Sequence, residues 1–170
     1  KTYGGVTPAK MGLPVLTYLL TWALVIARAE GALTLWRFTI DLTFDLRLDG
    51  LGRFFAAIVA TLWPLTVLYA FSYLQNDTRK RSFFAFFTMS YGATLGVALA
   101  GDLFTMYCFY ELLTLCTVPL VLHTRTKEAT RAAKTYFVFS LGGAAFAFAS
   151  MLFLVSNGVT VDFALGGLLH

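Results

Sequence analysis

Apolar residues in this chain come in long blocks rather than in stripes. Five runs stand out: Met11 to Ala27, Leu51 to Leu74, Phe83 to Ala100, Leu103 to Leu122, and about Ala132 to Val155. Each is near the ~20 residues that carry a helix across the hydrocarbon core of a bilayer, the first being short for a span. Only Gly101 and Asp102 part the third run from the fourth. The pattern predicts an all-α integral membrane protein of about five transmembrane helices, built as a single transmembrane domain over residues 1–170.

Between the first two runs the period changes. Trp36, Phe38, Ile40, Leu42, Phe44, Leu46 and Leu48 alternate with Arg37, Thr39, Asp41, Thr43, Asp45, Arg47 and Asp49. A period of two predicts a strand or hairpin with one greasy face at about residues 34–49. An amphipathic interfacial segment is the competing reading. After Ser156-Asn157-Gly158 the stretch to His170 is too short to span. Met11 to Ala27 has a second reading as a signal peptide, because Ala27-Arg28-Ala29 has a small-x-small pattern and Lys10 supplies a basic flank. Cleavage there would remove residues 1–29 and leave four spans.

Composition agrees with lipid as the solvent. Hydrophobic residues make up 58 % of the chain and charged residues 13 %, against about 25 % charged in a soluble domain. Mean hydropathy is +0.73. The formal net charge of +4 does not point to nucleic acid, because the basic residues occupy the short segments between apolar runs. Lys1, Lys10, Arg79, Lys80, Arg81, Arg125, Lys127, Arg131 and Lys134 fall on one side, and Arg28, Arg37, Arg47 and Arg53 on the other. The richer side is expected to be cytoplasmic. That gives a multi-pass protein of the cell (inner or plasma) membrane, N-terminus inside and C-terminus outside, with the β segment outside.

One residue breaks the apolar pattern in a way that suggests chemistry. Glu111 lies in the middle of the fourth run, within MYCFYELLTLC. An ionised carboxylate near mid-bilayer costs several kcal/mol unless it is paired or hydrated. Such residues carry protons or cations in many membrane proteins; the competing reading is a protonated side chain that bonds a neighbouring helix. Tyr107, Cys108, Thr114 and Leu115 share its helix face, and Tyr107 and Thr114 could hydrogen-bond it. Pro119, two turns on, removes a backbone donor and frees a carbonyl for ions or water. Lys134, at the start of the fifth run, is either a headgroup-snorkelling lysine or a step on a proton path. Asp102 reads as the N-cap of the fourth helix and Asp49 as that of the second.

Other features suggest less. Gly92 and Gly96, and Gly142-Gly143-Ala144-Ala145, allow close helix packing. The Phe83 to Phe87 stretch reads as a lipid-facing surface. Cys108 and Cys116 would stand roughly 12 Å apart along one helix, too far for a disulfide. There is no CxxC or HExxH, and His123 and His170 are far apart in sequence. No metal, haem or other cofactor site is expected, and no nucleophile–base pair marks a catalytic site.

The stretches DLRLDGLGRFFAAIVATLWPLTVLYAFSYL, GDLFTMYCFYELLTLCTVPLVL and EATRAAKTYFVFSLGGA resemble the antiporter-like subunits of the complex I superfamily. That superfamily includes the proton-pumping subunits of NADH:quinone oxidoreductase, Mrp-type sodium–proton antiporters and membrane-bound hydrogenases. The resemblance runs from about Asp45 to Val155, and the aromatic-Glu-Leu core around Glu111 is its most specific piece. It implies an antiporter-like helix bundle of which this chain is the second to sixth helices. Glu111 would stand for the family's essential glutamate, and Lys134 for the lysine early in its next helix. The family pairs its glutamate with a buried lysine on a further helix that this sequence lacks. The resemblance therefore implies an incomplete chain, or a truncated subunit completed by other membrane subunits of a hetero-oligomeric complex. The expected function is translocation of protons, or of sodium, within a redox-driven translocase or an antiporter. A structural subunit derived from such a transporter is the alternative.

The charge bias generates a direct test of topology. Single cysteines placed at residues 79–81 and 123–131 should label only from the cytoplasmic face of sealed vesicles, and those at 30–48 only from the other. Labelling of both groups from one side would overturn the five-span arrangement.

Overall fold

The computed structural model describes residues 8–27, 31–37 and 42–163. Five helices and one hairpin follow in the order α1 (Pro8–Ile26), β1 (Ala32–Arg37), β2 (Thr43–Arg47), α2 (Gly50–Tyr73), α3 (Lys80–Ala98), α4 (Leu103–Val121) and α5 (Lys127–Ser156). The cleavage-like Ala27-Arg28-Ala29 pattern, residues 38–41 of the alternating run, and the tail to His170 lie wholly or partly outside the described residues.

By length and composition α2, α4 and α5 can each cross a membrane, and Val15–Ile26 of α1 adds a shorter apolar helix. The helix α3 is more polar than its neighbours. It opens on Lys80-Arg81 and carries Ser82, Thr88, Ser90 and Thr94. Local bonds satisfy two of these hydroxyls: Ser90 donates to the Phe87 carbonyl at 2.8 Å and Thr94 to the Ser90 carbonyl at 2.8 Å. Hydroxyls bonded back to their own helix need no water. Ser90, Tyr91, Ala93 and Gly96 of α3 are buried among the other helices.

Small residues and rings set the packing. Gly52, Ala56, Ala60 and Ala70 are the buried positions of α2, so its backbone can approach its neighbours closely. Gly96 sits directly against the Phe109 ring, and any Cβ there would collide with it. Gly92, Gly142 and Gly143 have open space where a Cβ would point, so within the described residues they do not serve the close packing expected of them. The phenylalanines of 83–87 also depart from expectation. Phe84 stacks on Phe71 with centroids 4.5 Å apart, and Phe87 meets Trp63 at 5.2 Å. The rings fasten α2 to α3 instead of forming a lipid-facing surface, since aromatic pairs gain beyond the area they bury. Tyr91 holds α1 through an edge-on ring contact with Tyr18 at 4.8 Å and a hydrogen bond to Thr21 at 2.9 Å.

The alternating segment forms the expected hairpin. β1 and β2 pair antiparallel, Leu33 with Leu46 and Trp36 with Phe44, with a bulge between Thr34 and Trp36. The bulge shifts the alternation by one residue, so the two strands do not present one uninterrupted greasy face. β1 is exposed along its length while β2 is half-buried. Phe44 anchors β2 on Phe109 of α4, with centroids 5.3 Å apart.

Asp102 ties hairpin and bundle together. It is the N-cap of α4, as its position predicts, and accepts from the Thr105 backbone N–H at 2.7 Å. It is also 0 % exposed, and its second oxygen accepts from the Thr105 hydroxyl at 2.7 Å and the Asp45 N–H at 3.3 Å. Around it the backbone is laced across the chain: Arg47 N–H to the Leu99 carbonyl, Gly101 N–H to Asp45, Leu103 N–H to Val161 and Phe163 N–H to Gly101. Arg47 closes the knot, donating to the carbonyls of Phe163 at 3.0 Å and Gly101 at 3.3 Å. Asp49 caps α2 likewise, accepting from Gly52 N–H at 2.6 Å.

Asp102→Ala removes the cap and strands buried donors, which costs about 2–4 kcal/mol. The variant should unfold at lower temperature in detergent, and limited proteolysis should cut the hairpin first. Wild-type resistance of the hairpin would show that the carboxylate does not hold it.

Candidate functional site

The chemistry-bearing residues lie on α4 and α5. Glu111 is the ninth residue of α4 (Leu103–Val121), at the middle of a helix about 28 Å long. It is partly buried, and its Oε1 is enclosed without a hydrogen-bond partner. A shielded carboxylate oxygen lacking a donor is costly, and within the described residues no side chain relieves that cost.

Two contacts between α4 and α5 fix their antiparallel register. The Thr117 and Tyr136 hydroxyls lie 2.9 Å apart, and the rings of Tyr107 and Phe148 stack with centroids 5.3 Å apart. Interpolation between these pairs puts Glu111 level with Gly142-Gly143 and Lys134 level with Pro119. Glu111 and Lys134 are therefore separated by about 13 Å along the helix axes. The structure does not bring the two together. Lys134 is exposed in the third turn of α5. Gly142 and Gly143 are exposed and have open space where a Cβ would point, while the next residue, Ala144, is buried.

The expected helpers are placed differently. Thr114 is buried, and its hydroxyl donates to the Tyr110 carbonyl at 3.2 Å rather than to Glu111. Helix geometry favours that bond, since a threonine readily reaches back to the carbonyl four residues earlier. Tyr107 spends its ring on Phe148. Pro119 lies in the last turn of α4, and the carbonyl it frees is that of Leu115, one turn beyond Glu111 on the same helix. Asp102 is a structural hub nine residues before Glu111 and reaches Thr105 and Asp45. Cys108 and Cys116 are free thiols.

Sequence reasoning missed a polar link at the other end of α4. The His123 ring and the Asp77 carboxylate lie 2.9 Å apart, joining the α2–α3 turn to the end of α4. The Arg79 backbone N–H also donates to Asp77, at 2.6 Å. These residues are 46 positions apart, and no local pattern pairs them. In the hairpin, burial pushes the Asp45 carboxyl up, but the hydroxyls of Thr34 and Thr43 and the guanidiniums of Arg37 and Arg47 hold it below the usual carboxylate range.

Comparison with known proteins gives these positions a context. Residues 100–167 match the family described as NADH:quinone oxidoreductase/Mrp antiporter, transmembrane; both Glu111 and Lys134 fall inside that stretch. The Na(+)/H(+) antiporter subunit A1 of Staphylococcus haemolyticus (strain JCSC1435) is 29 % identical over 137 residues, covering 77 % of this chain and 17 % of the relative. That of Staphylococcus aureus is 27 % identical over 139 residues, covering 78 % and 17 %. In strain JH9 the identity is 31 % over 110 residues, covering 64 % and 14 %. The chain spans about 17 % of the length of the curated relatives that it matches most extensively.

The Asp77 link has a pH signature. The Arg79 N–H, first, and the His123 ring hold the Asp77 carboxyl below the usual range. A carboxyl lowered in the folded state stabilises the fold above its unfolded value, near 4, and loses that contribution as pH falls through the lower folded value. Asp77→Asn should therefore melt below wild type at neutral pH, and the two melting curves should converge as pH drops below about 4. A gap that stays constant through the acid range would count against the link.

Proposed function

We propose that this relative of the NADH:quinone oxidoreductase/Mrp antiporter membrane subunits contributes to proton or cation translocation in a multisubunit membrane complex, with Glu111 as the titrating carboxylate. The observation that carries this reading is the enclosed, unpartnered Oε1 of Glu111 at the midpoint of α4. A carboxylate in that position needs a proton, a cation or water. A donor from another helix or subunit would serve the same need. Lys134 is exposed about two turns into α5. It can relay charge between the headgroup level and the interior without pairing directly with Glu111. Tyr107, Thr114, Asp102 and Pro119 shape α4 around the carboxylate, and none of them hydrogen-bonds it among the described residues.

The relatives named as Na(+)/H(+) antiporter subunits support the choice of protons, with sodium as the exchanged ion. They also support partnership with other membrane subunits of a hetero-oligomeric complex, since Oε1 of Glu111 lacks a donor among the described residues. The basic-residue bias favours a cytoplasmic N-terminus and an external C-terminus in the cell (inner or plasma) membrane. No step of the reading needs a cofactor in this chain.

Glu111→Gln keeps size and hydrogen-bonding capacity but cannot ionise. The assembled complex should form at near wild-type abundance, while ion flux per complex in sealed vesicles falls by about tenfold or more. Glu111→Asp should be intermediate. Full flux with glutamine would instead make Glu111 a packing residue and the chain a structural subunit.

A further inference from the structure

The end of the bundle that joins α2 to α3 and α4 to α5 holds a feature the translocation reading does not use. A cleft of about 480 Å³ opens there between α3, α4 and α5. Its polar lining comes from Arg79, Ser82, His123, Arg125 and Thr130. Phe86 and Pro119 line its apolar side.

Three observations give the cleft its chemistry. First, it gathers two guanidiniums, a ring that can carry a proton and two hydroxyls, and no carboxylate lines it. Second, Asp77 is engaged by the Arg79 backbone N–H and the His123 ring. It positions His123 at the cleft; the Arg79 guanidinium also acts on Asp77 through its charge, but among the described residues neither the Arg79 nor the Arg125 side chain makes an ion-pair contact. Glu128, in the first turn of α5, is exposed and does not line the cleft. Third, the turn after α4 holds Arg125 at φ 54°, a left-handed conformation uncommon for a residue with a side chain.

The level of the cleft matters as much as its charge. Arg79 is the N-cap of α3, and Arg125 lies just past the end of α4 and just before α5. Apolar spans give way there to the basic connecting segments, so the cleft stands at headgroup depth. A guanidinium recognises a phosphate through paired N–H donors. Basic pockets between membrane helices suit lipid headgroups, and an apolar wall beside them suits an acyl chain. We propose that this cleft binds the phosphate of an anionic phospholipid, with Arg79 and Arg125 on the phosphate and the Phe86–Pro119 side against the chain. A free phosphate offers the same oxygens without the chain.

The test uses the assembled protein in neutral detergent at constant ionic strength. Its thermal midpoint is followed during titration with dihexanoyl phosphatidylglycerol, dihexanoyl phosphatidylcholine or sodium phosphate. Phosphatidylglycerol should raise the midpoint saturably, and the other two should not. Arg79→Gln and Arg125→Gln should each weaken the apparent affinity for phosphatidylglycerol by about tenfold. Arg125→Lys, which keeps the charge, should retain part of it. Arg81→Gln, a neighbouring basic residue outside the lining, should behave as wild type. Midpoints without lipid report whether each variant folds. An equal effect of inorganic phosphate would assign the cleft to free anions and overturn the lipid proposal. Equal protection by phosphatidylcholine, a response unchanged in both arginine variants, or an equal loss in Arg81→Gln would overturn it as well.

Discussion

A carboxylate with no access to water must find its partners in the protein, and Asp102 finds them in two separate parts of the chain. One oxygen begins α4 by taking the Thr105 N–H, and the other reaches the Thr105 hydroxyl and the backbone of β2. The α3–α4 turn is thereby fixed against the hairpin, and the strand-like pairings of Gly101 and Leu103 bring in the segment at Val161–Phe163. Most of the polar cross-links at this end run through a few residues around the turn. The helix starting there is the one that carries Glu111, so the position of that carboxylate depends on the knot.

The middle of the bundle is governed by the opposite condition. Between the Tyr107–Phe148 stack and the Thr117–Tyr136 hydroxyl contact, α4 and α5 are held at two levels. Glu111 falls between them, at the level of Gly142 and Gly143 along the axes. The same arrangement keeps Lys134 near the α4 end that carries Pro119. The two ends of α4 thus differ in kind: one is bound by a buried aspartate, the other by the Asp77–His123 pair and the arginine-lined cleft.

What the sequence revealed depended on how local the physics was. Asp49 and Asp102 were readable as caps because an N-cap acts over three residues, and Gly52 and Thr105 lie at that spacing. The hairpin was readable because its alternation is local, although the bulge at Thr34–Trp36 was not. The family resemblance was legible in the stretch around Glu111, and residues 100–167 match that family. Contacts made across the fold left no local mark. Asp102 with Asp45, Arg47 with Phe163, Asp77 with His123, and Phe84 with Phe71 join residues far apart in sequence. The Thr114 hydroxyl donates to the Tyr110 carbonyl one turn back, a local bond open to any helical threonine.

The offset between Glu111 and Lys134 sets how strongly they can feel each other. At a separation of about 13 Å or more, two unit charges interact by no more than about 1.3 kcal/mol when the effective dielectric constant is near 20. That is too weak for either to neutralise the other inside a membrane, yet it is about twice the thermal energy RT. A charge on one side chain would therefore act on the other as a weak bias. The fixed register of α4 against α5 sets the strength of that coupling.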